Sequence, residues 1–126
     1  MSLSLLEDTT VAFDGVGPAV RLSWEPGNLL VLTLVISRIV EREAVLVSLW
    51  GSADGTDWGV SPLVSFSPKY YCGTYSVLLN LAARGDIRYL RVHWHLKRSQ
   101  RKAEYPTVCE FCVYAEASGS RLSAVA

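Results

Sequence analysis

The sequence is poor in charge, in cysteine and in long apolar runs, and each shortage excludes something. Asp, Glu, Lys and Arg make up 19% of the 126 residues, while apolar residues make up 50%. A chain of that composition buries a core instead of staying disordered or winding into a charged coiled coil. Neither sign of charge is in excess, with twelve basic residues against twelve acidic ones. The long-range field that holds nucleic acid is therefore missing, and no specific nucleic-acid partner is expected. The longest apolar run, 29–36, has eight residues with Thr33 inside it, against the roughly 20 that a spanning helix needs, so no membrane insertion is expected. The three cysteines, Cys72, Cys109 and Cys112, are an odd number. That argues against a closed disulfide framework and for a reducing compartment. The N-terminus also lacks the basic start and apolar stretch of a secretory leader, so a cytoplasmic location is expected. The G-x-S-x-G elbow, the Walker sequence and H-E-x-x-H are all missing, which leaves no recognisable catalytic set; neither an enzyme nor a cofactor is expected.

What is present is a β pattern. Runs rich in Val, Leu, Ile, Thr and aromatics cover 11–13, 19–24, 29–37, 44–51, 63–66, 73–81, 87–96 and 107–115. Turn residues separate most of them, as at Asp14-Gly15, Pro26-Gly27, Asp54-Gly55 and Gly85-Asp86. About eight short strands without a long amphipathic helix predict an all-β fold, a jelly-roll-like antiparallel β-sandwich. It is read as a single domain over 1–126, with 117–126 as a frayed tail. The two-residue period separates the faces of two strands. Leu90, Val92, Trp94 and Leu96 form a core set, leaving Tyr89, Arg91, His93 and His95 on the other face; Cys109, Phe111, Val113 and Ala115 form a second core set. The run 29–36 is apolar on both faces, as suits a central strand covered twice or a surface that meets a partner subunit.

Charge is divided along the chain. Residues 1–63 carry three basic and eight acidic side chains, net −5, and 64–126 carry nine and four, net +5. Half of the basic residues lie within 88–102. That stretch, interleaved with Tyr89, His93 and His95, is the best candidate for contact with something negative, although charge runs in loops commonly serve solvation alone. Opposed acidic and basic surfaces could instead set the register between copies of the chain.

Two constellations could hold metal, and both read more simply as structure. Cys109 and Cys112 have redox or zinc spacing but sit in a strand, where positions three apart point to opposite faces. His93 and His95 share a face that Glu110 or Cys112 of a neighbouring strand could complete, yet Arg91 and Lys97 oppose a cation there. No metal site is expected. Glu41 and Glu43, one residue apart around Arg42, read as a hairpin end and not as a catalytic dyad, and Asp54-Gly55 between two β runs reads as a hairpin turn, not as a calcium loop.

Val45-Leu-Val-Ser-Leu-Trp-Gly-Ser-Ala-Asp-Gly-Thr-Asp-Trp58 and, some thirty residues on, Ile87-Arg-Tyr-Leu-Arg-Val-His-Trp94 carry S-x-D-G-x-x-W followed by R-Y-[VIL]-R-[VI]. This order resembles discoidin-like domains, the coagulation-factor type C family, and related sandwich modules of phage structural proteins. The resemblance covers about 50 residues. It implies a jelly-roll-like sandwich that binds a glycan, a lipid head group or a protein through loops at one end, without catalysis. The expected function is a non-catalytic binding or assembly module, self-associating or joined to a protein partner. The alternative is a carbohydrate-binding module in which exposed Trp58, Tyr70 and Tyr71 stack on sugar rings while Arg91 or Asp57 bonds hydroxyls. Behind both stands a metal-dependent enzyme using His93 and His95.

Overall fold

The computed structural model describes residues 2–23, 29–40, 43–97 and 109–117. They form nine strands and, among the described residues, no helix: β1 (Ser2–Val11), β2 (Gly15–Val16), β3 (Val20–Arg21), β4 (Leu29–Ile39), β5 (Ala44–Ser52), β6 (Val64–Ser65), β7 (Gly73–Asn80), β8 (Tyr89–Lys97) and β9 (Cys109–Ala117). One sheet runs β1-β9-β4-β7 and the other β2-β8-β5-β6, with β3 also on β8, and every pairing is antiparallel. β2 and β3 are two halves of one strand broken at Pro18. Gly15 and Val16 pair with Trp94 and His93, Val20 and Arg21 with Leu90 and Tyr89, and the Gly17 amide between them donates to the Val92 carbonyl. Counted so, the described residues form an eight-stranded jelly-roll sandwich.

The two inner faces meet in one core. β4 sends Leu30, Leu32, Leu34 and Ile36 inward, β5 sends Val45, Val47 and Leu49, β8 sends Leu90, Val92 and Leu96, and β9 sends Cys109, Phe111, Val113 and Ala115. Both separated strand faces thus hold, with one correction. Trp94 is half-buried: its indole turns edge-on to Phe111, ring centroids 5.8 Å apart, and its Nε1 donates to the Phe13 carbonyl at 2.9 Å. At the other end of β5, Gly51 faces inward beneath Leu63 and Ile87. A Cβ there would lie 2.5 Å from Leu63 Cδ1, so the loop closes onto the sheet because this residue has no side chain.

The structure departs from the sequence reading in four places. A strand expected at 11–13 ends at Val11 and occupies the ten residues before Ala12; register shifts between Ser4 and Leu6 and between Leu6 and Thr9 break the alternation that would have shown it. Asp54-Gly55 is a turn, with Gly55 at φ +87°, but it opens a long connection to β6 instead of a two-residue hairpin. The segment around Glu43, expected to be a hairpin end, crosses from one sheet to the other, since β4 and β5 lie in different sheets. Ala117, expected in the tail, is the last residue of β9. Trp24, Glu41, 98–108 and 118–126 lie outside the described residues, and with them the second half of the basic stretch.

Candidate functional site

The outward face of the β8–β5 pair carries the polar and aromatic groups that the core cannot take. Along β8 these are Tyr89, Arg91, His93 and His95, set opposite Ser52, Trp50, Ser48 and Leu46 of β5. The Trp50 ring leans from its place opposite Arg91 onto His93, stacking at 4.7 Å between centroids and 19° between planes, while its Nε1 donates to Ser48 Oγ at 3.1 Å. On the other side the loop after β5 folds Trp58 back so that the Arg91 guanidinium lies 4.5 Å from the indole centroid, a cation–π contact. Trp58, Arg91, Trp50 and His93 therefore form one ridge across the sheet. Buried within it, Arg91 Nε and His93 Nε2 make no hydrogen bond. Burial, and after it the Arg91 charge, holds the His93 imidazole below its ordinary value, so it is neutral at pH 7.

Ser52 and Asp54 build the turn that places Trp58. Asp54 Oδ1 accepts from the Thr56 and Asp57 amides at 2.9 and 3.0 Å and from Ser52 Oγ, which itself accepts from the Gly55 amide at 2.8 Å. These donors, the Asp57 amide foremost, hold the Asp54 carboxyl well below the usual carboxylate range. Tyr89 lies beneath this turn, its ring 3.6 Å from where a Cβ on Gly55 would stand, with the Arg21 guanidinium 5.9 Å from its centroid. The S-x-D-G-x-x-W and R-Y-L-R segments meet here, although the chain keeps them thirty residues apart.

Two hollows flank the ridge. One, about 370 Å³, is lined by the turn with Asp54, Asp57, Trp58, Arg84 and Asp86. The other, about 540 Å³ and more apolar, runs over Leu46, Trp50, Phe66 and Val16 with His93 and His95 at its floor. At its end His95 Nδ1 lies 2.6 Å from Asp14 Oδ2, and Asp14 Oδ1 accepts from the Leu96 amide at 2.8 Å. That amide, with His95 adding to it, lowers the Asp14 carboxyl.

Of the seven residues singled out from sequence, the structure gathers Trp58, Tyr89, Arg91, His93 and His95 on one sheet face and separates the other two. Lys69, next to Tyr70, bridges Val45, whereas Arg91 lies opposite Trp50. The separation along β5 is five residues, about 17 Å at the strand rise. Tyr70 and Tyr71 are exposed, and the Tyr71 carbonyl accepts from the Tyr75 hydroxyl on the other sheet. Trp58, expected to be exposed, is half-buried with Arg91 on one of its faces. The residues missed, Trp50, Ser48 and Asp14, had one usable signal: the alternation of β5 puts Leu46, Ser48 and Trp50 on its outer face.

The metal readings lose their geometry. β9 belongs to the other sheet, so Glu110 and Cys112 cannot join His93 and His95. The two histidines also turn to different partners, and among the described residues no three His, Cys, Asp or Glu side chains cluster. Cys109 and Cys112 face opposite sides of β9, and burial, with Cys72 adding to it, pushes the Cys109 thiol up to about 11. Such a thiol is a packing group, since the thiolate is the reactive form.

No protein-family model and no curated protein matches the chain. Solved structures do. A chain of infectious bursal disease virus, Gx strain, aligns with a TM-score of 0.58 at 6% identity, covering 91% of this chain and 30% of that one. The subviral-particle VP2 of the same virus gives 0.51 at 10% identity over 94% of this chain and 33% of that one. A chain of the Triatoma virus empty capsid gives 0.50 at 6% identity over 93% and 87%. The chain thus spans about a third of the bursal disease virus chains it matches. At such identities the likeness is one of fold, and at the level of β-sandwich it agrees with the resemblance read from the motifs without singling out the discoidin type. By strand order, pairing and likeness alike, the chain is a jelly-roll β-sandwich.

Proposed function

We propose that the chain is a non-catalytic assembly module whose copies associate through the β4–β7 side of the four-stranded sheet. The observation that carries this reading is incomplete burial on β7. Tyr75, Val77 and Leu79 point inward opposite Leu34, Leu32 and Leu30, yet only Leu79 is buried. On the outer side Leu78 is 59% exposed next to half-buried Val31 of β4. A partner surface would remove these groups from water at about 25 cal/mol per Å². The Triatoma virus chain of similar fold comes from a capsid; that likeness supplies a precedent for the scaffold, whereas the argument for association rests on β7. Light scattering tests the reading: the apparent mass rises from 13.9 kDa with concentration, and a strict monomer at several hundred micromolar removes the proposal.

The ridge favours a second reading, because Arg91 Nε and His93 Nε2 are buried without partners. A carbohydrate laid across the ridge over Trp58 and Trp50, with Arg91 turned out from between them, would supply hydroxyl oxygens to these groups. On a glycan array the wild-type chain would then give signals that Arg91→Ala abolishes, and silence from a folded wild-type chain would discard the idea.

A further inference from the structure

The four sheet edges are not alike. β6 has two residues and lies between Pro62 and Pro68. β2 and β3 have two each, with Pro18 between them. β1 is long but bulged twice, and Glu7 and Asp8 sit within its second register shift. Short strands, prolines, bulges and charges are the devices by which proteins keep an edge from pairing with another chain. β7 has none of them. Its eight residues, Gly-Thr-Tyr-Ser-Val-Leu-Leu-Asn, contain no charge and no proline and pair with β4 without a register shift. Among the described residues no strand pairs with its other side.

We infer that two copies of this chain join by antiparallel pairing of β7 with β7 across a two-fold axis, merging two four-stranded sheets into one of eight. This rests on the assembly reading above and specifies its geometry. The occupant is a second copy because the edge complements itself. An antiparallel pair about a two-fold axis sets each strand against its own sequence, and an uncharged sequence opposes no like charges. Lys69 is off the strand, with its ammonium 4.3 Å from the Tyr75 centroid. Pairing of β7 with β1 of the next copy would propagate without closing, and the bulges and acidic residues of β1 disfavour it. Opposed residues share a face in such a pair. An axis at Ser76 or Val77 gives the longest overlap, brings Leu78 against an exposed Ser76 or Thr74 of the second copy, and covers Tyr75 and Val77.

The test is a double substitution on the exposed side, Ser76→Lys with Leu78→Lys, which puts like charges in opposition at the junction while leaving the core untouched. Sedimentation velocity of the full chain is expected to show a dimer whose dissociation constant rises at least 100-fold in the double variant, with an unchanged circular dichroism spectrum. Thr10→Lys on β1 leaves it within about twofold. A folded double variant that dimerises like the wild type overturns the β7 geometry while the assembly reading stands; a wild-type chain that is monomeric throughout overturns both. Hydrogen exchange on the wild type serves should the variant not fold: protection of 73–80 rises with concentration and that of 2–11 does not. Protection of 73–80 that is independent of concentration, or that rises only when an extended peptide from another protein is added, overturns the self-pairing.

Discussion

Phe111→Ala costs about 3–5 kcal/mol, the range for removing a buried aromatic ring that its surroundings cannot collapse to fill. Phe111 is fully buried, at 0% exposure, in a strand flanked on both sides, with Ile36 and Thr9 as its cross-strand neighbours. It is also where the two sheets touch, since the Trp94 indole of the opposite sheet stands edge-on to its ring. A cavity there is held open by two sheets whose backbones are tied laterally by hydrogen bonds, so relaxation is limited. Against a total stability of 5–15 kcal/mol the loss is large, and it corresponds to a melting temperature lower by roughly 10–20 °C for a chain of this length. Thermal and urea unfolding measure it. Val60→Ala, at a side chain 98% exposed, is the control and stays within about 0.5 kcal/mol of wild type. Equal effects from the two substitutions would refute the assigned core.

Acid is expected to destabilise the protein, and the carboxylates say where. Asp54, Asp14 and Asp86 are all held below their ordinary value of 3.8: Asp54 by the Asp57 and Thr56 amides and the Ser52 hydroxyl, Asp14 by the Leu96 amide and His95, Asp86 by Arg84. In each case the unfolded chain binds the proton more readily than the folded one, so stability rises with pH across the titration. Their contribution is fully present above about pH 4 and is lost as pH falls from there through the lowered folded values. His93 adds a shallower step of the same sign, because its imidazole is held below 6.5 by burial and by Arg91; the unfolded chain takes up this proton first as pH drops past 6.5. Unfolding midpoints are therefore flat above pH 7, decline slightly towards pH 5 and fall steeply below pH 4. Asp54→Asn flattens the steep part and His93→Gln removes the shoulder. A profile that rises towards acid, or that neither substitution alters, would be incompatible with these hydrogen bonds.

The parts of the fold legible in the sequence are those that repeat with a period of two. Leu90, Val92 and Leu96 against Tyr89, Arg91 and His95, and Cys109, Phe111, Val113 and Ala115 against Glu110 and Tyr114, separate by alternation alone, and both strands are found as read. β1 was illegible because its bulges bury Leu5 and Leu6 consecutively and then interpose Glu7 and Asp8. β3 falls inside the run 19–24, read as a strand, whereas β2, read as part of the Asp14-Gly15 turn, exists only through pairing with β8, which no local propensity encodes. The same holds for the ridge. His93 and Arg91 were singled out on their strand, but stacking on Trp50 and Trp58 follows from which strand lies beside β8, and strand order is a property of the whole chain. For this reason Glu110 and Cys112, plausible neighbours of His93 in sequence terms, belong to the opposite sheet. The open edge of β7 is the extreme case: Gly73–Asn80 reads as an ordinary strand, and only the order β1-β9-β4-β7 makes it an edge.

Backbone amide NMR spectra recorded on dilution from millimolar to micromolar test the self-assembly most directly, because they report both whether copies meet and where. The account predicts concentration-dependent shifts or broadening concentrated in 73–80 and in the β4 residues beside them, with Trp58, Arg91, His93 and His95 unaffected. Spectra that superimpose at every concentration, or changes confined to the ridge, would contradict it.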